Sequence, residues 1–402
     1  MASPAAAAAG PLDDRAVERL READFPWTAD TVYLNNASTG PIPERTRRAL
    51  DAFNVERAQP HLLPDDKLFA HFARARELVA RLINADVAEV GLAANTSYGL
   101  NIAAQALPLA PGDTVLVSDR EFPANVYPWL RLRERGVAVE LVPTTPEGWP
   151  DEARLLERLA GRGGPPVRCL AVSLVQFSNG YMVDLARLSA AARAAGAFLV
   201  VDAIQGAGQV PIDVRATPVD VLACGAQKWL LSPWGSGFVY VRRDLVPTLS
   251  PAWVSWMAYE GTDDFSRLVE YADTLRPDAR RFDFITLPYQ DFVGMNASLE
   301  LILELGVPAI REHLRHLHAP VVDWAARRGV RLASPHAARA EAASGIVSVA
   351  LPDAPRAYAA LRSAGVITSL REGAIRLSPH AYNTLDEMAR VVELLEEHVH
   401  LS

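Results

Sequence analysis

Only two lysines occur among 402 residues, Lys67 and Lys228, although lysine and arginine together number 40. Lys228 stands in Val219–Val241, VDVLACGAQKWLLSPWGSGFVYV, where two apolar runs of strand length flank a connection rich in Gly, Pro and Trp. Arginine replaces a surface lysine at little cost but cannot form a Schiff base. A lysine kept inside a glycine-flanked apolar segment is therefore a candidate for covalent chemistry with a carbonyl. The alternative is a lysine whose stem lies along a buried edge while its ammonium reaches water. Lys67, in KLFAHFARARELVARL, sits among solvated charges and is expected at the surface.

Three other polar groups fall just after apolar runs. Asn95-Thr96-Ser97 enters a helix, and its backbone N–H groups and two hydroxyls suit a phosphate or an ordinary helix cap. Glu121-Phe122-Pro123-Ala124-Asn125 follows the strand containing Val115, and Phe122 is positioned either to cover a ring or simply to pack. Asp202 closes the strand AFLVVD, with Gln205 three residues on. A carboxylate at the end of an apolar strand is costly unless paired, and a protonated ring nitrogen would pair it. A lysine for a Schiff base, a carboxylate for a ring nitrogen, a ring stacker and a phosphate cup are together what an aldehyde cofactor needs.

The elements that must position these groups alternate. Short apolar runs at Val90–Ala93, Thr114–Ser118, Val137–Val142, Val167–Leu174, Phe198–Asp202, Asp220–Ala223 and Phe238–Val241 read as strands, with helical periodicity between most of them. Such a series predicts an α/β domain with a mostly parallel sheet covered on both faces, here assigned to residues 30–255 after a tail and short helix at 1–29. In open sheets of this kind ligands lie at the carboxyl ends of the strands, where all four groups fall. Residues 256–290 are aromatic and irregular. With Trp253, Trp256 and Tyr259 nearby, they read as an interface and active-site connection. Residues 291–402 read as a smaller α+β domain, with long helices at Tyr289–Glu304 and Val307–Arg328 and a last helix capped by Thr384 and Glu387.

Composition narrows the partners. A net charge of -8 with no basic block argues against nucleic acid and anionic membranes. No apolar run approaches the length of a membrane span. Cys169 and Cys224 lack any metal-site spacing, so a reducing, cytoplasmic setting is expected. MASPAAAAAG reads as a disordered tail, not as a signal peptide.

From about Tyr33 to Glu397 the chain resembles the class V, fold-type I, pyridoxal-phosphate enzymes: aminotransferases, cysteine desulfurases, C–S lyases and isopenicillin-epimerase-like proteins. The likeness rests on YLNNASTGPIP, EFPANVYPW, VVDAIQGAG, CGAQKWLLSPWGSGFVYV, RRFDFIT and IRLSPHAYNT. It implies a seven-stranded, mostly parallel sheet, pyridoxal 5'-phosphate as cofactor and a homodimer with shared active sites. It makes Lys228 the Schiff-base lysine, Asp202 the partner of the ring nitrogen and Phe122 the ring stacker, where histidine is usual. Gln205 would bond the phenolic oxygen. Asn95, Thr96, Ser97 and Gln227 would surround the cofactor, and Thr286 would reach the phosphate held by the partner subunit. Arg376 would grip the substrate carboxylate, with Arg371 and Asn36 as further substrate-side candidates.

Three departures bear on the reaction. The segment GVITSLREGAIRLS lacks the cysteine that desulfurases carry there. Gln227 replaces the histidine common before the lysine, so that GAQK is similar to the alanine–glyoxylate type of aminotransferase. Gly225 replaces a usual Ser or Thr, and the phosphate hydroxyl is then expected from Thr96 or Ser97. The leading expectation is an aminotransferase acting on a small or medium amino acid, with a keto acid as second substrate. A β-elimination C–S lyase, an epimerase and a catalytically silent scaffold are the alternatives.

Overall fold

The computed structural model describes residues 10–399; most of the expected N-terminal tail lies outside them. The chain opens with α1 (Asp14–Asp24), the two-residue β1 (Val32–Tyr33), α2 (Glu44–Arg57) and α3 (Asp65–Ile83). The large domain then alternates β2 (Val90–Leu92), α4 (Thr96–Ala106), β3 (Thr114–Ser118), α5 (Tyr127–Arg131), β4 (Ala138–Val142) and α6 (Glu152–Leu159). It continues with β5 (Val167–Ser173), α7 (Leu185–Ala195), β6 (Phe198–Asp202), β7 (Val221–Gly225) and β8 (Gly237–Val241).

These strands form one seven-stranded sheet, ordered β2-β8-β7-β6-β5-β3-β4. The pairs β4/β3, β3/β5, β5/β6 and β6/β7 are parallel, and β8 alone runs against its neighbours on both sides. Side chains alternate between faces with period two. Leu116, Leu170, Val172, Leu199, Val201 and Leu222 pack into one buried cluster. Val115, Val117, Cys169, Ala171, Val200 and Val221 enter a second cluster on the opposite face. Each fully buried Val or Leu contributes about 1.5–3 kcal/mol, so covering both faces holds the sheet together. Side-chain caps set the helix starts: Asn95 accepts from Tyr98 N, and Asp184 from Arg187 N.

The C-terminal part contains α8 (Tyr289–Leu305), α9 (Val307–Arg328), β9 (Arg331–Leu332), β10 (Val347–Ala350) and α10 (Ala354–Ser363). It ends with β11 (Val366–Ile367), β12 (Ser369–Arg371), β13 (Ala374–Leu377) and α11 (Leu385–Glu396). Its sheet is ordered β12-β13-β10-β9. Thr384 and Glu387 form the expected capping box at α11. Among the described residues no single helix is long and apolar enough to cross a membrane.

The N-terminal arm departs from the sequence-based division. β1 does not join the large sheet; Val32 and Tyr33 pair in parallel with Val366 and Ile367 of β11. Asn36 N donates to Ser378 O, and Arg21 binds Glu387 and the Tyr382 carbonyl. The arm thus binds to the C-terminal domain and carries residues 36–40 across to Lys228. Gly40 sits against that lysine so closely that a Cβ would lie 2.0 Å from Lys228 O, which only glycine permits.

Candidate active site

A cavity of about 300 Å³ opens at the carboxyl ends of the strands, under the β12–β13 hairpin of the C-terminal domain. It gathers ten residues singled out from the sequence: Asn95, Thr96, Ser97, Phe122, Asp202, Gln205, Gln227, Lys228, Arg371 and Arg376. A larger cleft of about 1050 Å³ lies between α1, α9 and the start of α11. It contains none of these groups, so chemistry and not size identifies the site.

Asp202 ends β6 and is almost wholly buried. Its Oδ1 accepts from Ile204 N at 3.0 Å, while Oδ2 accepts no hydrogen bond from the described residues. Burial pushes its pKa up to about 7; the charge of Glu121 adds to this, and the Ile204 N–H and Lys228 oppose it. Lys228 follows β7, its Nζ 5.5 Å from the centre of the Phe122 ring. Burial brings its pKa down to about 8, opposed by Asp202 and assisted by Arg376 and Arg371. At neutral pH a useful fraction of Lys228 is therefore the free amine that attacks a carbonyl.

Gln205 accepts from Trp229 Nε1 at 2.8 Å and donates from Nε2 to Ala37 O at 2.9 Å. A second amide hydrogen remains for a ligand oxygen. The Thr96 hydroxyl accepts from Gly225 N at 2.8 Å and keeps its own proton to donate. A Cβ on Gly225 would lie 2.5 Å from Gln227 Oε1 and 3.3 Å from Thr96 Oγ1. A hydroxyl side chain at 225 would have to displace the end of Gln227 and press on Thr96, beside the N-terminus of α4.

Arg376 is 1% exposed and meets no carboxylate within salt-bridge distance among the described residues. Its donors go to Ser369 Oγ (3.1 Å), Phe177 O (2.6 Å) and Ser38 Oγ (2.6 Å), which leaves two of five N–H groups free. Burial, with the nearby charge of Arg371, lowers its pKa to about 9. A buried guanidinium held only by neutral oxygens is a receptor for an anion.

Of the expected residues outside this cavity, Asn36 lies elsewhere, and Thr286 was expected at the partner's site. Asn36 does not line the cavity: its amide donates to Ser378 O at 2.9 Å and accepts from Tyr382 Oη at 3.1 Å, so it ties the arm to the C-terminal domain. Thr286 is exposed and outside the cavity of its own chain. Trp253 and Trp256 are also exposed and form no part of the cavity lining.

Three contributors had no assigned role in the sequence. Ser38 receives both arginines, and Phe177 supplies the carbonyl for Arg376 and a ring edge-on to Phe122 at 5.3 Å. Glu121 is buried and surrounded by donors: Ser173 N at 3.0 Å, Gln176 Nε2 at 2.7 Å, Asn125 Nδ2 at 3.2 Å and the Ser173 hydroxyl. It fastens the loop carrying Phe122 to the end of β5, where Ser173 pairs with Asp202. In the sequence it was one acid in the polar turn DREFPAN, with nothing to mark its burial.

Residues 32–391 match the family model described as Aminotransferase class-V, and the chain belongs to that family. Among its relatives are YcbU, an uncharacterized aminotransferase of Bacillus subtilis, and the isopenicillin N epimerase of Streptomyces clavuligerus. The first is 32% identical, with 79% of this chain and 81% of that protein covered. The second is 31% identical, with 91% and 94% covered. An apo cysteine desulfurase from Thermococcus onnurineus superposes with a TM-score of 0.83 at 23% identity, covering 95% of this chain and 98% of that one. A cystine C–S lyase, C-DES, gives 0.81 at 22% identity over 93% and 99%. The chain is a fold-type I enzyme of this superfamily, whose cofactor is pyridoxal 5'-phosphate.

The residues present fit that group. Lys228 is available as amine, Asp202 keeps one oxygen free in a buried position, and Thr96 and Ser97 present hydroxyls at a helix N-terminus. The raised Asp202 pKa has a stability consequence. Between the unfolded value of 3.8 and the folded value of about 7, the unfolded chain has released a proton that the folded state retains. Asp202 therefore stabilises the cofactor-free fold at low pH and loses that contribution as pH rises through about 7. Cofactor-free Asp202→Asn should melt at an increasingly higher temperature than wild type as pH is raised from 4 to 8. Parallel melting curves across that range would refute the buried-carboxylate account.

Proposed function

We propose that this enzyme is an aminotransferase for α-amino acids, with Lys228 as the anchoring lysine and the sole proton carrier at Cα. One observation carries the reading. Of the charged side chains lining the cavity, Asp202, Lys228, Arg371 and Arg376, only Lys228 is an amine, and its Nζ lies 5.5 Å from the centre of the Phe122 ring, where it can both join a carbonyl and move a proton. When bound, the cofactor supplies an aldehyde carbon for the amine and an electron-withdrawing ring. Asp202 holds the proton on the ring nitrogen, Phe122 covers the ring, and Thr96, Ser97 and Gln227 bind the phosphate. Arg376 fixes the substrate carboxylate and thereby turns the Cα–H towards Lys228. Lys228 would take that proton and carry it, a transfer for which one base suffices.

The absence of other groups from the cavity lining weighs against two rivals. A persulfide-forming thiol would have to open on the cavity, but Cys169 and Cys224 are outside its lining, inside β5 and β7, where burial pushes both thiols up. Inversion at Cα by two bases needs a second proton carrier, and Phe122 occupies the face where a histidine would serve. Elimination also needs only one base, and the likeness in fold to a cystine C–S lyase keeps it as the second reading.

Amino donor alone should bleach the visible absorption of the loaded enzyme stoichiometrically, and keto acid should restore it. Pyruvate and sulfide released from cystine without any keto acid would replace this reading with a lyase.

We also propose a homodimer in which Thr286 of each chain reaches the partner's phosphate site. Its support is an exposed apolar stretch, unusual for a free surface, in which Val269 is 77% and Tyr271 88% exposed alongside Trp253 and Trp256. Light scattering should give twice the chain mass of 43.7 kDa, and Val269→Asp with Tyr271→Asp should lower it and weaken cofactor retention. A wild-type monomer that retains cofactor would contradict the shared site.

A further inference from the structure

Two guanidiniums enter the cavity from one hairpin. In the β12/β13 pairing Ser369 stands opposite Arg376 and Arg371 opposite Ala374. Residues two apart on a strand share a face, so Arg371, Ser369 and Arg376 all project from the same side. Their bonds agree: Arg376 Nη2 donates to Ser38 Oγ at 2.6 Å, and Arg371 Nη2 reaches the same oxygen at 3.4 Å. The connecting loop is only Glu372-Gly373, with φ of 45° and 77°. Two successive positive φ values define the mirror-image turn that favours Asn-Gly, and a glutamate there is conformationally costly. That tight turn sets the register that places both arginines at one opening.

Their charges are not balanced by the protein. Among the described residues neither arginine forms an ion pair, and the only carboxylate lining the cavity is Asp202. Like charges at neighbouring positions on one sheet face repel, and Arg371 acts on both Arg376 and Lys228 in that sense. An α-carboxylate bound to Arg376 satisfies one of the pair. Arg371, at the exposed mouth and otherwise bonded only to Leu370 O and Ser38, still has no anion.

We propose that the amino acid taken by this pocket carries a second carboxylate, bound by Arg371. The substrate class is an amino dicarboxylate, with a keto dicarboxylate as its acceptor counterpart. The inference rests on the pocket accepting an α-amino acid, and it does not depend on which reaction follows. Arg376 orients the reacting end, while Arg371 selects by the charge of the distal end. A substrate of single negative charge would leave the two guanidiniums facing each other with one unpaired.

The test uses unreactive probes on the cofactor-loaded enzyme. Calorimetric titration should show glutarate binding about tenfold more tightly than butyrate, the difference expected of one well-formed charged pair. Arg371→Gln should erase that preference, and Arg371→Lys, which keeps the charge but not the fork, should keep part of it. In turnover, the ratio of kcat/KM for glutamate over alanine should fall about tenfold in Arg371→Gln, chiefly through KM. Equal affinities for glutarate and butyrate in wild type, or a preference that survives Arg371→Gln, would overturn the proposal. Were alanine to bleach the enzyme while glutarate showed no preference, the aminotransferase reading would stand and this one would fall. Elimination products in place of transamination, with the glutarate preference intact, would do the reverse.

Discussion

Charge removed from water without a fixed partner is the constraint around which this molecule is arranged. Asp202, Lys228 and Arg376 are each carried into a small cavity by a strand or the turn after it, and each is left incompletely satisfied by the protein. Burial raises the carboxyl to about 7, lowers the amine to about 8 and lowers the guanidinium to about 9. A protein built only for stability would pair or delete such groups, since an uncompensated buried charge destabilises by several kcal/mol. Keeping three together is consistent with a binding energy that arrives with cofactor and substrate.

Rigid surroundings keep these groups from relieving their own strain. The sheet, covered on both faces, fixes the ends of β6 and β7. Glu121 locks the Phe122 loop to Ser173, the ladder partner of Asp202. Gly40 closes on the carbonyl of Lys228, and Thr96 fills the space beside Gly225. The C-terminal domain supplies the wall that carries Arg371 and Arg376, and the N-terminal arm fastens that wall through β1, Asn36 and Ser38. The two domains are thus joined beside the cavity, which Ser38 lines.

Much of this was legible in the sequence, for physical reasons that differ by element. The apolar runs ending in Asp202 and preceding Lys228 are fully buried strands, whose composition is dictated by two covered faces. The cap at Thr384 is local, and so readable from spacing alone. What escaped depends on partners far along the chain. β11 and β12 are two and three residues long, and β11 exists as a strand through pairing with residues 32–33. Asn36 was expected at the site from the resemblance of YLNNASTGPIP to the family, yet its amide is spent on Ser378 and Tyr382. Little in DREFPAN distinguishes the buried Glu121 from a solvated acid, because three of its four donors come from Ser173 and Gln176, far along the chain, and only Asn125 lies in the segment itself.

The measurement that bears most directly on the central claim is the pH dependence of adduct formation at Lys228. Cofactor-free protein would be mixed with pyridoxal 5'-phosphate, reduced with borohydride at each pH, digested and mapped by mass spectrometry. The buried, depressed amine predicts a single modified lysine, Lys228, with a yield that rises through a midpoint near 8 and no adduct in Lys228→Ala. Labelling spread over Lys67 and Lys228 alike, or a midpoint near the ordinary lysine value of 10.5, would contradict it.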